Sequence, residues 1–503
     1  MKKKFLLFIN LLALLFAWQV SHIKQVAADD KIKVVTTFYP VYEFTKAVTG
    51  DSADVSMLIK AGTEPHDFEP STKNVATISD ADMFVYMDDS METWVKKVQK
   101  SINSDDLTVV KSTGDMLLMA GTAEEEEEGH EGHSHEYDPH VWLSPKRAVT
   151  LVENIRDAFV AKYPDKAETF KTNSAAYIEK LNDLDKKYSD ALSNAKQKSF
   201  VTQHAAFGYL ALDYGLNQIP ITGVSAESEP SAKRLASLTK YVKKYDIKYI
   251  YFEENASSKV AATLADEAGV KTAVLNPLES LTTKEIKAGE DYFTVMKDNL
   301  KALRLTTDVK GKEIKAETDD TKTVQHGYFK DKDVTDRKLT DWSGTWQSVY
   351  PYLLDGTLDE VWEYKADASK GEQTAQEVKD YYTTGYKTDV EKIIIDGKKN
   401  TVTFVQNGEE HKYIYKYVGY KILKYEKGNR GVRYLFEAKD DNADDFKYIQ
   451  FSDHNISSTK AEHFHLFRGS TSQKAILKEM DNWPTYFPAS KSGQEIAQDL
   501  VAH

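Results

Sequence analysis

The chain contains no cysteine. That absence removes disulfide staples, thiolate zinc fingers and thiol nucleophiles together. Any transition-metal site must then be built from His, Asp and Glu. Proline and glycine are also sparse, 12 and 24 in 503 residues, which excludes collagen-like and Pro/Gly-rich repeat architectures. Positive charge is in deficit: 66 Lys and Arg face 79 Asp and Glu, a net charge of −13. Nucleic-acid binding depends on cations that neutralise phosphates, so this balance argues against it. Beyond the N-terminal run described next, no apolar stretch is long enough to span a bilayer.

What is present is ordinary globular composition, 41% hydrophobic and 29% charged. At about 100–200 residues per domain, the length predicts roughly two to four units. Residues 1–28 read as an export signal: Lys2, Lys3 and Lys4, an apolar run over 5–18 interrupted mainly by Asn10, and small residues Val26 and Ala28 before Asp29. An uncleaved anchor is the alternative. The mature protein is expected outside the cytoplasm.

Over residues 29–308 short apolar runs alternate with helix-periodic segments. The spacing predicts strands at 32–37, 55–59, 83–86, 200–202, 247–252 and 272–275. Such alternation argues for parallel sheets built from βαβ units. Residues 166–195 lack Pro and Gly, and Phe170, Tyr177, Leu181, Leu184, Tyr188 and Leu192 recur on one helical face. This predicts a long amphipathic helix, placed to join two α/β lobes. Residues 120–137 hold an acidic, histidine-rich low-complexity loop, in which Glu124 to Glu128 precede His130, His133 and His135. Residues 309–325 are polar and read as a linker. Residues 326–503 change texture, with strands predicted at 392–395, 401–405, 413–417, 420–425, 433–437 and 447–451. Turn signals at Asp396-Gly397 and Asn407-Gly408 favour an antiparallel sandwich or barrel. A final helix is expected near 472–480.

The histidines are few enough to place one by one. Of 13, His22 falls in the signal, His130, His133 and His135 in the acidic loop, His326 at the linker end, His411 in a predicted turn and His503 at the terminus. Six remain. His66 (GTEPHDFEPS) and His204 (VTQHAAFGY) follow predicted strands, as does Glu279 (LNPLES), and His140 lies in DPHVWLSP. Ligands in open α/β sheets gather at carboxyl ends of strands. Three imidazoles and one carboxylate complete a tetrahedral zinc shell. These residues are far apart in sequence, so each is also readable as a separate surface or capping residue.

GTEPHDFEPS, DPHVWLSP and LNPLES resemble the metal-binding signatures of the cluster A-I solute-binding proteins of zinc and manganese ABC importers, over about residues 30–305. The resemblance implies two α/β lobes joined by a rigid helix, with metal in the cleft held by His66, His140, His204 and Glu279. Manganese-type members carry a carboxylate where His204 stands, and a third imidazole favours zinc over the harder ion. Zinc members of that family also carry an acidic histidine loop. His130, His133 and His135 are therefore expected to give weak local capture of zinc.

In the C-terminal region His463 and His465 flank Phe464 in EHFHLF, and residues i and i+2 of a strand share a face. His454, in FSDHNIS, follows the run 447–451, so a returning strand would bring it alongside. Three imidazoles on one sheet face make a zinc site with an open fourth position. TDWSGTWQSVYPYL, DYYTTGYKTD, GVRYLFE, KYIQFSDH, HFHLF and NWPTYFP resemble the periplasmic zinc-binding ZinT family over about residues 326–503. That implies a calycin-like β-barrel with His454, His463 and His465 as its zinc ligands.

The two units in this order are similar to zinc-uptake lipoproteins, whose signal ends in a lipid-bearing cysteine. This chain has none, so retention by an uncleaved signal or by the transporter, or release, is expected instead. The expected function is extracellular capture of Zn2+, bound at two sites, for an ABC permease and its ATPase, by a monomer associated with the membrane surface. Two other readings stand beside it. One is a zinc hydrolase or hydratase at the open three-His site, opposed by the lack of HExxH and of an evident general base, since Glu462 points to the other strand face. The other is a metal-storing adhesin.

Overall fold

The computed structural model describes residues 31–502 apart from 61–62, 103–105, 122–136, 223–231, 254–258, 313–323, 325–326, 370 and 426–427. The export signal, the body of the acidic loop with His130, His133 and His135, most of the linker, and His22, His326 and His503 lie outside the described residues. No described helix is long and apolar enough to cross a membrane.

Two four-stranded parallel sheets build the first half. One contains β1 (Ile32–Thr36), β2 (Ala53–Met57), β3 (Met83–Tyr86) and β4 (Thr108–Lys111), in the order β2-β1-β3-β4. The other contains β5 (Ser199–Thr202), β6 (Asn217–Pro220), β7 (Tyr249–Phe252) and β8 (Lys271–Val274), in the order β6-β5-β7-β8. Central strands such as β3 are buried along their whole length, as expected for a sheet covered on both faces. Sequence patterning did not predict β4 or β6. Both are four-residue edge strands with partly exposed side chains, so neither carries a full apolar run.

The long helix spans Ala167–Leu192, and the six apolar residues predicted for one face are all buried. It follows the first sheet in the chain and precedes the second. Tyr188 Oη donates to the Met296 carbonyl at 2.6 Å, and Tyr177 lies 4.9 Å from the Phe293 ring. The hydrogen bond and the ring contact tie the helix to Tyr292–Thr307.

The second half is a closed antiparallel barrel of β9 (Gly344–Ser348), β10 (Val390–Asp396), β11 (Thr401–Gln406), β12 (Glu409–Lys424), β13 (Arg430–Ala438), β14 (Tyr448–Ser452), β15 (Phe464–Gly469) and β16 (Thr485–Pro488), with β9 closing between β16 and β10. Trp342, Trp346, Phe404, Tyr434, Phe451 and Phe464 fill it. The separate strands expected at 413–417 and 420–425 are one strand, β12, whose register shifts between Tyr417 and Gly419. A bulge bends a strand without ending it. His411, expected in a turn, pairs with Phe404 in the β11–β12 ladder. The turn is confined to Asn407 and Gly408, both at positive φ (53° and 79°), the geometry of a two-residue hairpin loop. The helix expected near 472–480 is a single turn, Gln473–Ile476, and the last described helix is Gly493–Ala502.

The two halves share one apolar core. The cluster holding Phe38, Trp142 and Leu210 continues through Val361, Trp362, Tyr364, Phe487, Ile496 and Leu500 of the C-terminal half.

Candidate metal centres

His66, His140, His204 and Glu279 converge in the cleft between the two parallel sheets. His66 lies in the turn after β2, His204 just after β5 and Glu279 after β8. His140 precedes a short 3-10 turn, Val141–Leu143, that leads into the helix Pro145–Lys162. Neighbouring loops are tied together: Trp142 Nε1 donates to the Pro277 carbonyl at 2.8 Å, and Tyr292 Oη donates to the Trp142 carbonyl at 2.7 Å. Leu278, at φ 56°, is held by its N–H donating to Asn276 Oδ1 at 2.7 Å. That turn aims Glu279 inward.

The ligand atoms are spaced like the corners of one coordination shell. His66 Nε2 is 3.1 Å from His140 Nε2, which is 3.4 Å from His204 Nε2. Glu279 Oε1 lies 3.3–3.5 Å from all three. A tetrahedral ion with bonds of about 2.0–2.1 Å requires ligand–ligand edges of about 3.3–3.4 Å. Glu279 Oε1 is buried and receives no well-formed hydrogen bond among the described residues, so its lone pairs face the common centre.

Two further carboxylates orient the imidazoles. Asp138 Oδ1 meets His140 Nδ1 at 2.8 Å, and Glu253 Oε1 meets His204 Nδ1. Each keeps the proton on Nδ1 and leaves Nε2 as the donor atom. Sequence reasoning missed both residues. Glu253 follows β7 directly and so obeys the strand-end rule that found His204. Asp138 stands two residues before His140, where an Asx turn signal was legible.

Charge among the cleft groups is divided. Burial holds His66 down to about 4, against the pull of Glu279. Burial also opposes charge on His140 and His204, but Asp138 with Glu279, and Glu253 with Glu279, outweigh it and raise both. Burial would raise Glu279, yet the facing imidazoles hold it well below the usual carboxylate range. Glu64, whose Oε1 accepts from the His66 N–H at 3.1 Å, is pushed up to about 8 by burial and by Glu279. At neutral pH the cleft therefore presents one ionised carboxylate among its ligands.

In the second cluster, His454, His463 and His465, the first is exposed and the other two are half-buried. His465 is in β15, opposite Ser452 of β14 and Thr485 of β16. Its Nδ1 lies 2.8 Å from Thr485 Oγ1, whose hydroxyl donates to the Trp483 carbonyl at 2.9 Å. Its Nε2 faces His454 Nε2 at 3.4 Å. His463, just before β15, stacks on Phe487 with centroids 5.3 Å apart. Phe464 between them is buried in the barrel, 4.9 Å from Trp346, as strand alternation requires. His454 stands at φ 64°. Its neighbour Asp453 accepts from the fully buried Arg337 at 2.5 Å, and Arg337 lies 4.0 Å over the Trp342 ring. Burial, then His454 and His463, hold His465 well below the ordinary imidazole value.

Two lobes that close on a buried ligand cluster define a solute-binding protein, here carrying a lipocalin-like barrel with a second cluster. Residues 34–305 match the family described as zinc-uptake complex component A, periplasmic. Residues 320–503 match the ZinT (YodA) periplasmic lipocalin-like zinc-recruitment family. The chain is 66% identical to the zinc-binding protein AdcA of Streptococcus pyogenes and 62% identical to the zinc-binding lipoprotein AdcA of Streptococcus pneumoniae, with all of each chain covered. It is similar to the crystal structure of Zn(II)-bound AdcA from Streptococcus pneumoniae, with a TM-score of 0.83 and 61% identity over 94% of this chain and 100% of that one. The chain belongs to the AdcA family of zinc-binding proteins. The matched families are named for zinc uptake and recruitment rather than for a reaction.

Proposed function

We propose that this protein captures Zn2+ outside the cytoplasm and delivers it to the permease and ATPase of an ABC importer. The zinc-binding unit, 29–308, would hold the ion at His66, His140, His204 and Glu279. The barrel unit, 326–503, would hold a second ion at His454, His463 and His465. The observation that carries the reading is the set of ligand-atom distances in the cleft, 3.1–3.5 Å between His66 and His140, between His140 and His204, and from each imidazole to the buried Glu279 carboxylate. Three imidazoles to one carboxylate suit zinc better than manganese.

In this reading the barrel site is an accessory point of acquisition. The acidic loop is anchored where Ala120 bridges Tyr137. Both residues line a cavity of about 880 Å³ that His463 also lines. His130 is seven residues from Tyr137, a reach of at most roughly 25 Å along an extended chain. This supports a role for His130, His133 and His135 in local capture and in passing zinc between the units. The protein would work as a monomer at the membrane surface after removal of residues 1–28.

A zinc titration of the full-length protein tests the reading beside two triple-alanine variants, one at His66, His140 and His204, the other at His454, His463 and His465. Two tight sites, each lost independently, are expected. A single site, or none, refutes it. Zinc-limited growth of cells carrying each variant tests delivery, and growth unaffected by loss of the cleft site would refute import.

A further inference from the structure

We infer that the barrel unit positions the cleft's zinc ligand His140, through Tyr364 acting on the segment that carries Asp138. The inference rests on zinc binding in the cleft and names a residue from the other half of the chain that shapes that site.

Tyr364 belongs to the helix Asp359–Ala368 and is buried in the core shared by the two halves. Its hydroxyl donates to the Leu117 carbonyl at 2.7 Å and accepts from Arg147. Arg147 lies between two rings, 4.7 Å from the Tyr364 centroid and 4.9 Å from that of Tyr209. It also grips Asp213 with two bonds of 2.8 Å. A guanidinium held by a bidentate carboxylate and two aromatic faces has one available orientation.

The segment that Tyr364 grips leads to the ligand. Two residues beyond Leu117, Met119 N–H donates to Tyr209 Oη at 2.8 Å, and Tyr209 Oη donates to the Asp138 carbonyl at 2.7 Å. Asp138 N–H donates to the Met119 carbonyl at 2.9 Å. Asp138 Oδ1 then holds both the backbone N–H and Nδ1 of His140, at 2.9 and 2.8 Å. A second residue of the barrel unit clasps the same segment: Gln498, in the last described helix, bonds the Leu118 N–H and carbonyl, each at 2.7 Å. From Tyr364 to His140 every link is a hydrogen bond of ordinary length, a bond to Arg147, or a covalent step of at most two residues. A partner that orients a metal-ligating imidazole tunes the metal's affinity, and the barrel fixes that partner's backbone.

The test uses the full-length chain with His454, His463 and His465 replaced by alanine, so that the cleft alone reports. Tyr364→Phe keeps the ring against Arg147 and in the core, and removes only the hydroxyl. Two quantities are read: the rate at which a chelator strips zinc, and the d–d absorption of Co2+ bound in its place. The rate is expected to rise about three- to tenfold, the equivalent of one lost hydrogen bond, with shifted cobalt bands. Adding Gln498→Ala should enlarge both changes, and Tyr381→Phe, an exposed tyrosine of the same unit, should leave both unaltered. Unchanged stripping rate and cobalt bands in Tyr364→Phe overturn the inference even if the melting temperature falls, because a purely structural role lowers stability without altering the bound ion. A parent variant that takes up no zinc overturns the cleft assignment itself, before Tyr364 is altered.

Discussion

Asp138 holds His140 twice, accepting from its backbone N–H at 2.9 Å and meeting its Nδ1 at 2.8 Å with the same oxygen. The first bond fixes the turn and the second fixes the ring. Asp138→Asn keeps the shape but turns a charged acceptor into a neutral one. Zinc affinity of the cleft is expected to fall about 10–100-fold, read by chelator competition, with the barrel site unchanged.

The two sites should respond differently to acid. His140 and His204 are raised, so below their folded values each carries a proton that zinc must displace. His465 is lowered and is already neutral at pH 7. Zinc binding in the cleft should therefore release more protons per ion than binding at the barrel. Calorimetry of the two triple-alanine variants in buffers of different ionisation enthalpy measures this. Stability of the metal-free protein follows the same signs. The raised pair contributes stability that is present below an ordinary imidazole value of about 6.5 and lost as pH rises through the folded values. His66, lowered to about 4, contributes stability present above its ordinary 6.5 and lost as pH falls toward 4.

Arg337 and Asp453 form an ion pair with both side chains fully buried, directly beside His454. Arg337→Met preserves bulk over Trp342 but strands the Asp453 carboxylate. Breaking a buried pair costs about 3–5 kcal/mol. Urea denaturation should show that loss in the barrel, and the barrel site should bind zinc more weakly.

Gly385 leaves no room for a side chain, since a Cβ there would lie 2.3 Å from the Trp483 ring. Trp483 donates its N–H to the Gly385 carbonyl at 2.6 Å and accepts from the Thr485 hydroxyl that holds His465. Gly385→Ala should destabilise the barrel by about 1–3 kcal/mol, as overpacking does. It should weaken zinc binding there and leave the cleft as it was, which paired titrations would detect.

Local patterns carried much of the fold. The buried face of Ala167–Leu192 was readable from its period, and the strand alternation that buries Phe464 also set His463 and His465 on the other side. Edge strands β4 and β6 escaped because a half-exposed strand needs no apolar run. The helix Gly493–Ala502 escaped although Ile496, Ala497 and Leu500 mark its buried face. His411 was misplaced by the width given to a turn that Asn407 and Gly408 complete alone.

The sequence by itself determined the chemistry available: without cysteine, any site had to be imidazole and carboxylate, and the strand ends that could present them were local features. Only the tertiary structure decided that ligand atoms from positions 66 to 279 meet within 4.8 Å of one another, that Asp138 and Glu253 stand behind two of them, and that Tyr364 reaches across from the barrel. The reason is physical. Periodicity reports which face of one element is buried, whereas the distance between atoms on different sheets is set by how those faces pack against each other.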